Sequence, residues 1–351
     1  MISSKFTRTD LDNNVFEYLC VDNFIRSVMD AWALRTSFDL CLFDHLDIQK
    51  SRTFDYLQNA LSCDRPGLKM LLDLLMANHI VEQREGGFYL SGAFQKALQY
   101  RDLLEAKLDF SQLAALDFFS HFTSLIRNPD GFMRDARTIQ LFDYQQCFEL
   151  SPESCEQTKC WMRFMTLMTK YEAQVCMSYH DFSVYNSMLD IGGNSGEFVL
   201  QVCKRYPTMR ATVFDLPVVC NIGAEHVSTE PEAGRINFRK GNAITDSLPT
   251  NFDLVTFKSM LHDWPARNVK QLLCKARACL NPRGTLLIFE RAPIQVGERG
   301  IPYSFIPIFL FFRLLRPASV YKELLEAEEF HDIAIQRIQL ETPFWLVTAT
   351  K

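Results

Sequence analysis

The residues best placed to do chemistry lie in one run, Phe257-Lys258-Ser259-Met260-Leu261-His262-Asp263-Trp264-Pro265. The apolar stretch that leads into it, Leu254–Phe257, reads as a strand, so the run follows a strand's carboxyl end. A histidine there faces the crevice in which open α/β sheets bind their ligands. With an ordinary pKa near 6.5, its imidazole is suited to accept a proton close to neutral pH. A lone histidine is more often structural than catalytic, and nothing distinguishes the other six. His262 differs in position and company.

A second constellation is Met188-Leu189-Asp190-Ile191-Gly192-Gly193-Asn194-Ser195-Gly196-Glu197-Phe198. An apolar strand, Ser187–Ile191, runs into a glycine-rich turn, and a helix is expected from about Ser195. Glycines let the backbone turn sharply and approach a ligand closely. A dinucleotide fingerprint needs glycine at positions 194 and 197, which hold Asn194 and Glu197. A glutamate in the first helical turn opposes a pyrophosphate. S-adenosylmethionine has no phosphate and carries cationic groups, so an acidic rim that includes Asp190 suits it better. The next strand, Ala211–Phe214, ends in Asp215-Leu216-Pro217. Asp215 is placed either to accept hydrogen bonds from a ribose or to cap a helix before Pro217; its separation from Gly192 favours the ribose.

These residues need a sheet to hold them. From Asn186 onward, short apolar runs (Ser187–Ile191, Ala211–Phe214, Leu254–Phe257, Leu286–Phe289) alternate with helical segments. That alternation predicts a parallel, doubly wound α/β sheet with helices on both faces. The first 180 residues or so have helical periodicity instead, as at Phe24, Val28, Leu34 and Phe38. Within them a helix over Arg65–His79 precedes two short strands, Ile80–Gln83 and Phe88–Leu90, with a turn at Gly86-Gly87. Helices followed by a small hairpin suggest a winged helix, a fold that often binds DNA. The second helix offers only Arg65 and Lys69 before Asp73 and a run of leucines, which suits burial better than a major groove.

The chain has 351 residues, 48% hydrophobic and 23% charged, with a net charge of −5. Length favours two domains, and the charge gives no reason to expect a nucleic-acid partner. Eleven cysteines occur without a C-x-x-C, an odd number that argues for free thiols over a disulfide framework. Met1–Asp12 lacks the apolar stretch of a secretory signal. Ile301–Leu315 is apolar but interrupted by Pro302, Pro307 and Arg313 and is too short to span a bilayer. A cytoplasmic protein without a membrane anchor is expected.

The glycine loop, Phe214-Asp215-Leu216-Pro217, Lys258 four residues before His262, and the His262-Asp263-Trp264 triplet occur together in this order. In that combination the sequence resembles the caffeate/hydroxyindole-type (plant-type) S-adenosylmethionine-dependent O-methyltransferases, over nearly its whole length. The resemblance implies a class I methyltransferase domain over residues 111–351. It also implies an N-terminal, mainly helical winged-helix dimerisation domain over residues 1–110. S-adenosylmethionine would be held by Asp190, Gly192, Gly193, Asp215, Leu216, Asn242, Ala243 and Lys258. Asp215 would take the ribose and Lys258 the methionine end. Asn242 stands where the family has an aspartate near the adenine. His262 would be the base and Glu290 the carboxylate that orients it. The family's second carboxylate, in a late helix after an arginine, is missing: Arg316 is present, but Val320 occupies the carboxylate position.

An apolar, aromatic acceptor pocket is expected from Trp161, Phe164, Met165 and Met168 on one helix and from Phe305, Phe309 and Phe312 after Glu290. It would suit a phenolic, polyketide, alkaloid or quinone-like molecule. No recognisable ligand spacing points to a metal. Helices that are apolar on more than one face, including Phe24–Phe38 with Trp32, predict a homodimer. Methylation of carbon or nitrogen, a non-methylating S-adenosylmethionine enzyme and a winged-helix ligand-sensing regulator remain alternatives to hydroxyl methylation.

Overall fold

A computed structural model describes residues 29–297 and 300–351. The expected features over Met1–Asp12 and Phe24–Val28 lie outside the described residues. The chain divides into two compact units between Leu108 and Asp109.

The first unit contains α1 (Met29–Asp39), α2 (Leu42–His45), α3 (Phe54–Leu61), α4 (Arg65–Ala77), β1 (Val81–Arg84), β2 (Gly87–Leu90) and α5 (Gly92–Ala97). The Asp64 carboxylate caps α4 by accepting from the Gly67 N–H. Leu68, Leu71, Leu72 and Leu75, spaced as one helical face, are buried. They share a core with Phe38, Leu42, Leu57 and Phe88. Arg65 and Lys69 on this helix are ion-paired to Asp55 and Asp73.

The β1–β2 hairpin turns at Glu85-Gly86, one residue earlier than the sequence suggested, because Arg84 pairs with Gly87. Both turn residues have positive φ, at 48° and 76°. A two-residue loop of this kind matches the twist of its strands.

The helix α6 (Arg101–Arg127) leads to α7 (Pro129–Asp135), α8 (Arg137–Gln140) and the long α9 (Pro152–Tyr179). A capping box of Ser151 and Ser154 starts α9. The sheet unit follows: β3 (Ser187–Ile191), α10 (Glu197–Arg205), β4 (Arg210–Asp215), α11 (Pro217–Val227), β5 (Ile236–Lys240), β6 (Phe252–Lys258), α12 (Ala266–Cys279), β7 (Leu280–Arg291), α13 (Ile306–Phe309), α14 (Ala318–Ala327), β8 (His331–Gln339) and β9 (Pro343–Thr350).

Strands run in the order β5-β4-β3-β6-β7-β9-β8. The first five are parallel, as the alternating runs imply, and β9 and β8 add two antiparallel strands at one edge. The exposed residues of β5 and β8 gave little sequence signal.

Alternation along the strands distributes the core between two faces. Met188, Leu254, Leu287 and Phe289 pack under α9 and α10. Leu189, Val255, Leu286 and Ile288 pack against α12 and α14. The result is a Rossmann-like doubly wound sheet with its strand ends presented between helical layers. Among the described residues no helix is long and apolar enough to cross a membrane.

Candidate active site

The carboxyl ends of β3, β4 and β6 open into one cavity, lined entirely by residues of the second unit. At the end of β3, Gly192 has φ 71°, and a Cβ there would come within 2.5 Å of Met260 Cγ. Only glycine fits this combination of left-handed backbone and close approach. Gly192 and Asn194 line the cavity, whereas Gly193 does not; it lies directly against Asp190, whose Oδ2 would be 2.6 Å from an added Cβ.

Asp190 is fully buried and outside the cavity, which corrects its expected place on an acidic rim. Its Oδ1 accepts from Thr256 Oγ1 at 2.6 Å, and Oδ2 has no hydrogen-bond partner. Burial pushes its pKa up to about 7, against the opposing effects of Thr256 and Lys258.

Asp215 lines the cavity at the end of β4. Its Oδ2 accepts from the Asn194 N–H at 2.8 Å and its Oδ1 from the Leu216 N–H at 2.7 Å. The carboxylate therefore fastens the β3 loop to β4 while each oxygen retains a free lone pair. Leu216 is the N-cap residue of α11, but no side chain caps that helix. Burial raises Asp215 to about 6, although both backbone donors favour its ionised form. Asn242 and Ala243 line the same end. The Asn242 Oδ1 already accepts from the Ile244 N–H at 2.9 Å.

The other end is organised around His262. Its Nδ1 lies 2.7 Å from Glu290 Oε1. Glu290 is not beyond the strand, as the sequence suggested, but within β7, and it is fully buried. Its Oε2 accepts from the backbone N–H groups of Met260 and Leu261, both at 3.1 Å, and of His262 at 3.4 Å. One carboxylate thus shapes the turn and orients the ring that the turn carries. From the opposite side, Arg316 donates to the carbonyls of Leu261, at 2.7 Å, and Trp264.

The Nε2 of His262 lies 3.3 Å from Asp263 Oδ1, and Tyr144 donates to Asp263 Oδ2 at 2.7 Å. Burial alone would lower the His262 pKa, but the charges of Glu290 and Asp263 outweigh it and raise the imidazole above its ordinary value. Glu290 ends below its usual range because the facing imidazole and backbone donors overcome burial. At the Val320 position there is no carboxylate; neighbouring Tyr321 is fully buried, and burial followed by the charge of Glu290 keeps it a neutral phenol.

Aromatic side chains wall the space above His262. Trp161, Phe164 and Met165 project from α9 into the cavity, while Met168, one turn on, is buried without lining it. Phe142 packs 5.7 Å from Trp161 and 5.2 Å from Phe311, whose ring stands 6.2 Å from His262. Phe305, Phe309 and Phe312 do not line the cavity. Phe309 and Phe312 stack on each other at 4.9 Å and pack toward Phe118 and Phe132. The cavity face of that segment is instead Ile308, Phe311 and Leu315. Both sets have helical spacing, and the sequence does not say which face looks inward.

Lys258 is also absent from the lining; its ammonium is held 2.5 Å from Glu172 and 2.7 Å from Thr169 Oγ1. The sequence reading missed Tyr144, Arg291 and the roles of Asp263 and Arg316. Tyr144 and Arg291 have no local motif, and only their meeting in space marks them.

Comparison with known proteins agrees with this architecture. A human probable bifunctional dTTP/UTP pyrophosphatase/methyltransferase protein is 26% identical over 328 residues, 89% of this chain. The chain spans only 50% of that relative's length. Chicken (Gallus gallus) acetylserotonin O-methyltransferase is 26% identical over 322 residues, covering 86% of this chain and 89% of the relative. The crystal structure of human N-acetylserotonin methyltransferase in complex with SAM superposes with a TM-score of 0.72 at 21% identity. That alignment covers 100% of this chain and 99% of the other, and it establishes the class I methyltransferase fold. Residues 133–327 match the model of the O-methyltransferase domain, from α7 through α14 and including every strand end described above. The chain belongs to that O-methyltransferase domain family.

Proposed function

We propose that the protein transfers a methyl group from S-adenosylmethionine to a hydroxyl of an aromatic or polyketide-like small molecule in secondary metabolism, with His262 as general base. The observation that carries this reading is the buried His262–Glu290 pair facing a cavity whose other half is the Gly192 loop and Asp215.

The residues present fit the methyl donor. Asp215 offers a lone pair on each oxygen toward a vicinal diol. Gly192 leaves a cradle that a Cβ would fill. Buried Asp190 lies beneath the loop with an unpartnered oxygen, and its ionised form adds negative potential toward a cationic ligand. When bound, S-adenosylmethionine supplies an already activated methyl group on a sulfonium.

What remains for the protein is alignment and proton removal. Trp161, Phe142 and Phe311 hold a flat acceptor against the imidazole, and positioning of this kind supplies on the order of 7–11 kcal/mol of a barrier. The Nε2 of His262 takes the hydroxyl proton, a contribution of roughly 10²–10⁴-fold. Glu290, on Nδ1, fixes the tautomer that leaves Nε2 free to accept and stabilises the imidazolium that forms. Asp263, with Oδ1 3.3 Å from Nε2, adds a second negative charge that favours the imidazolium.

The working form is a homodimer. Leu116, Phe119, Phe122 and Ile126 form an exposed apolar stripe on α6, with Phe119 93% exposed. Trp32 and Met70 are exposed in the first unit. Apolar surface repeated at helical spacing is expected to be covered by another chain. A cytoplasmic location is supported by the free thiols, ten among the described residues.

Calorimetric titration with S-adenosylmethionine and S-adenosylhomocysteine tests the cofactor. Both are expected to bind, and an Asp215→Ala variant to lose both. No binding by the wild type at concentrations up to about a millimolar, the upper range of ordinary enzyme affinities, contradicts the reading.

A further inference from the structure

Resting on the cofactor reading above, we propose that Arg291, not Lys258, is the receptor for the carboxylate at the amino-acid end of the cofactor. The strand order β4-β3-β6-β7 sets their carboxyl ends in a row. Asp215 ends β4, the Gly192 loop follows β3, Ser259 and Met260 follow β6, and Arg291 ends β7; all of these residues line the cavity. Adjacent strands lie about 4.8 Å apart, so the row extends for about 14 Å. A ligand whose ribose is on Asp215 and whose chain passes Gly192 and Met260 therefore brings its far end to Ser259 and Arg291.

Arg291 is prepared for an anion there. Its side chain is buried, at 5% residue exposure, and held on several sides. One terminal nitrogen, Nη2, pairs with Glu172, and Glu341 lies 3.9 Å from it. The other, Nη1, donates to Ser259 Oγ at 3.2 Å. The guanidinium sits 4.8 Å from the Phe344 ring centroid. Its Nε–H has no hydrogen-bond partner. A buried donor left unsatisfied is costly, and a carboxylate satisfies it with a charge-assisted bond. The Ser259 hydroxyl accepts from Nη1 and keeps its own proton to donate, so guanidinium and hydroxyl together offer two donors to one carboxylate.

Lys258 is committed elsewhere, to Glu172 and Thr169 on α9. Glu172 thus ties Lys258 and Arg291 to one helix, and only the arginine borders the cavity.

The test compares S-adenosylhomocysteine with 5′-methylthioadenosine, the same nucleoside thioether without the amino-acid end, by calorimetry. Wild type is expected to prefer the former. Arg291→Gln should weaken S-adenosylhomocysteine roughly 10–100-fold, the worth of a hydrogen bond to a charged group, and leave methylthioadenosine within about twofold of wild type. Unchanged methylthioadenosine binding also shows that the variant is folded. Arg291→Lys, which keeps charge but loses the planar fork, should fall between, and Lys258→Gln should change the ratio less than either. Equal weakening of both ligands in the two Arg291 variants, an unchanged ratio, or a collapse of the ratio in Lys258→Gln alone overturns the proposal. If wild type binds neither ligand, the cofactor reading itself falls and takes this one with it.

Discussion

The two ends of the cavity are built by different means. The Gly192–Asp215 end consists of strand termini, backbone N–H groups and a carboxylate that bonds to two of them. The acceptor end above His262 consists of rings from three separate segments, Phe142, Trp161 and Phe311. Backbone geometry cannot vary without breaking the sheet, whereas a wall of side chains can be exchanged one residue at a time. The first end therefore suits a ligand that stays constant, and the second a ligand that differs from protein to protein. His262 stands where the two meet, fixed by Glu290 from within the sheet and touched by the aromatic wall.

That contrast yields predictions of decreasing size. Glu290→Gln should cost the most: it puts an amide where two oxygens now accept from His262 Nδ1 and from backbone N–H groups of the turn. A fall in kcat of up to about 10⁴-fold is expected, the effect of losing a carboxylate behind a catalytic imidazole. In the wild type the rate should rise with pH through an inflection above 6.5, because Glu290 and Asp263 outweigh burial in setting the His262 pKa and only the neutral ring accepts a proton. Residual activity of Glu290→Gln should show that inflection at lower pH. An unmoved inflection would detach Glu290 from the base.

A smaller effect belongs to the constant end. Asp215 titrates at about 6, so the ionised acceptor is present above that pH and lost below it. Affinity for S-adenosylhomocysteine should be level from pH 7 to 8 and fall roughly tenfold for each unit below the pKa. Affinity that holds constant down to pH 5 would remove Asp215 from ligand binding. The smallest effect is at the variable end. Phe311→Leu should raise KM for a planar acceptor by about ten-fold or less, the worth of an aromatic contact, with cofactor affinity unchanged. A matching loss of cofactor affinity would show that the two ends are not separable.

Legibility in the sequence followed the same division. Gly192, Asp215 and His262 could be read because they sit at fixed offsets from apolar runs that form strands. The parallel strands β3, β4, β6 and β7 were legible for the same reason, whereas β5 and the antiparallel β9 and β8 were not. Of the proposed pocket aromatics, Trp161 and Phe164 on the long α9 face inward, but Phe305, Phe309 and Phe312 turn away. The segment after β7 is phenylalanine-rich on both sides, so periodicity defines two faces without ranking them. The surroundings of Lys258 were hidden for a related reason: its position at the end of a strand is visible, but Glu172, which pairs with it, lies 86 positions earlier on α9. Tyr144 and Arg316 act on the His262 turn across similarly long separations.

The most direct test of the account is methyl transfer itself. Wild type and His262→Gln would be incubated with S-adenosylmethionine labelled in its methyl group and a panel of phenolic acceptors. The atom that receives the label would be identified by mass spectrometry and NMR. The account predicts labelled O-methyl product from the wild type. It also predicts a rate lower by roughly 10²–10⁴-fold in His262→Gln, with affinity for S-adenosylhomocysteine intact. Equal rates in the two proteins, or label found on nitrogen or carbon, would contradict it.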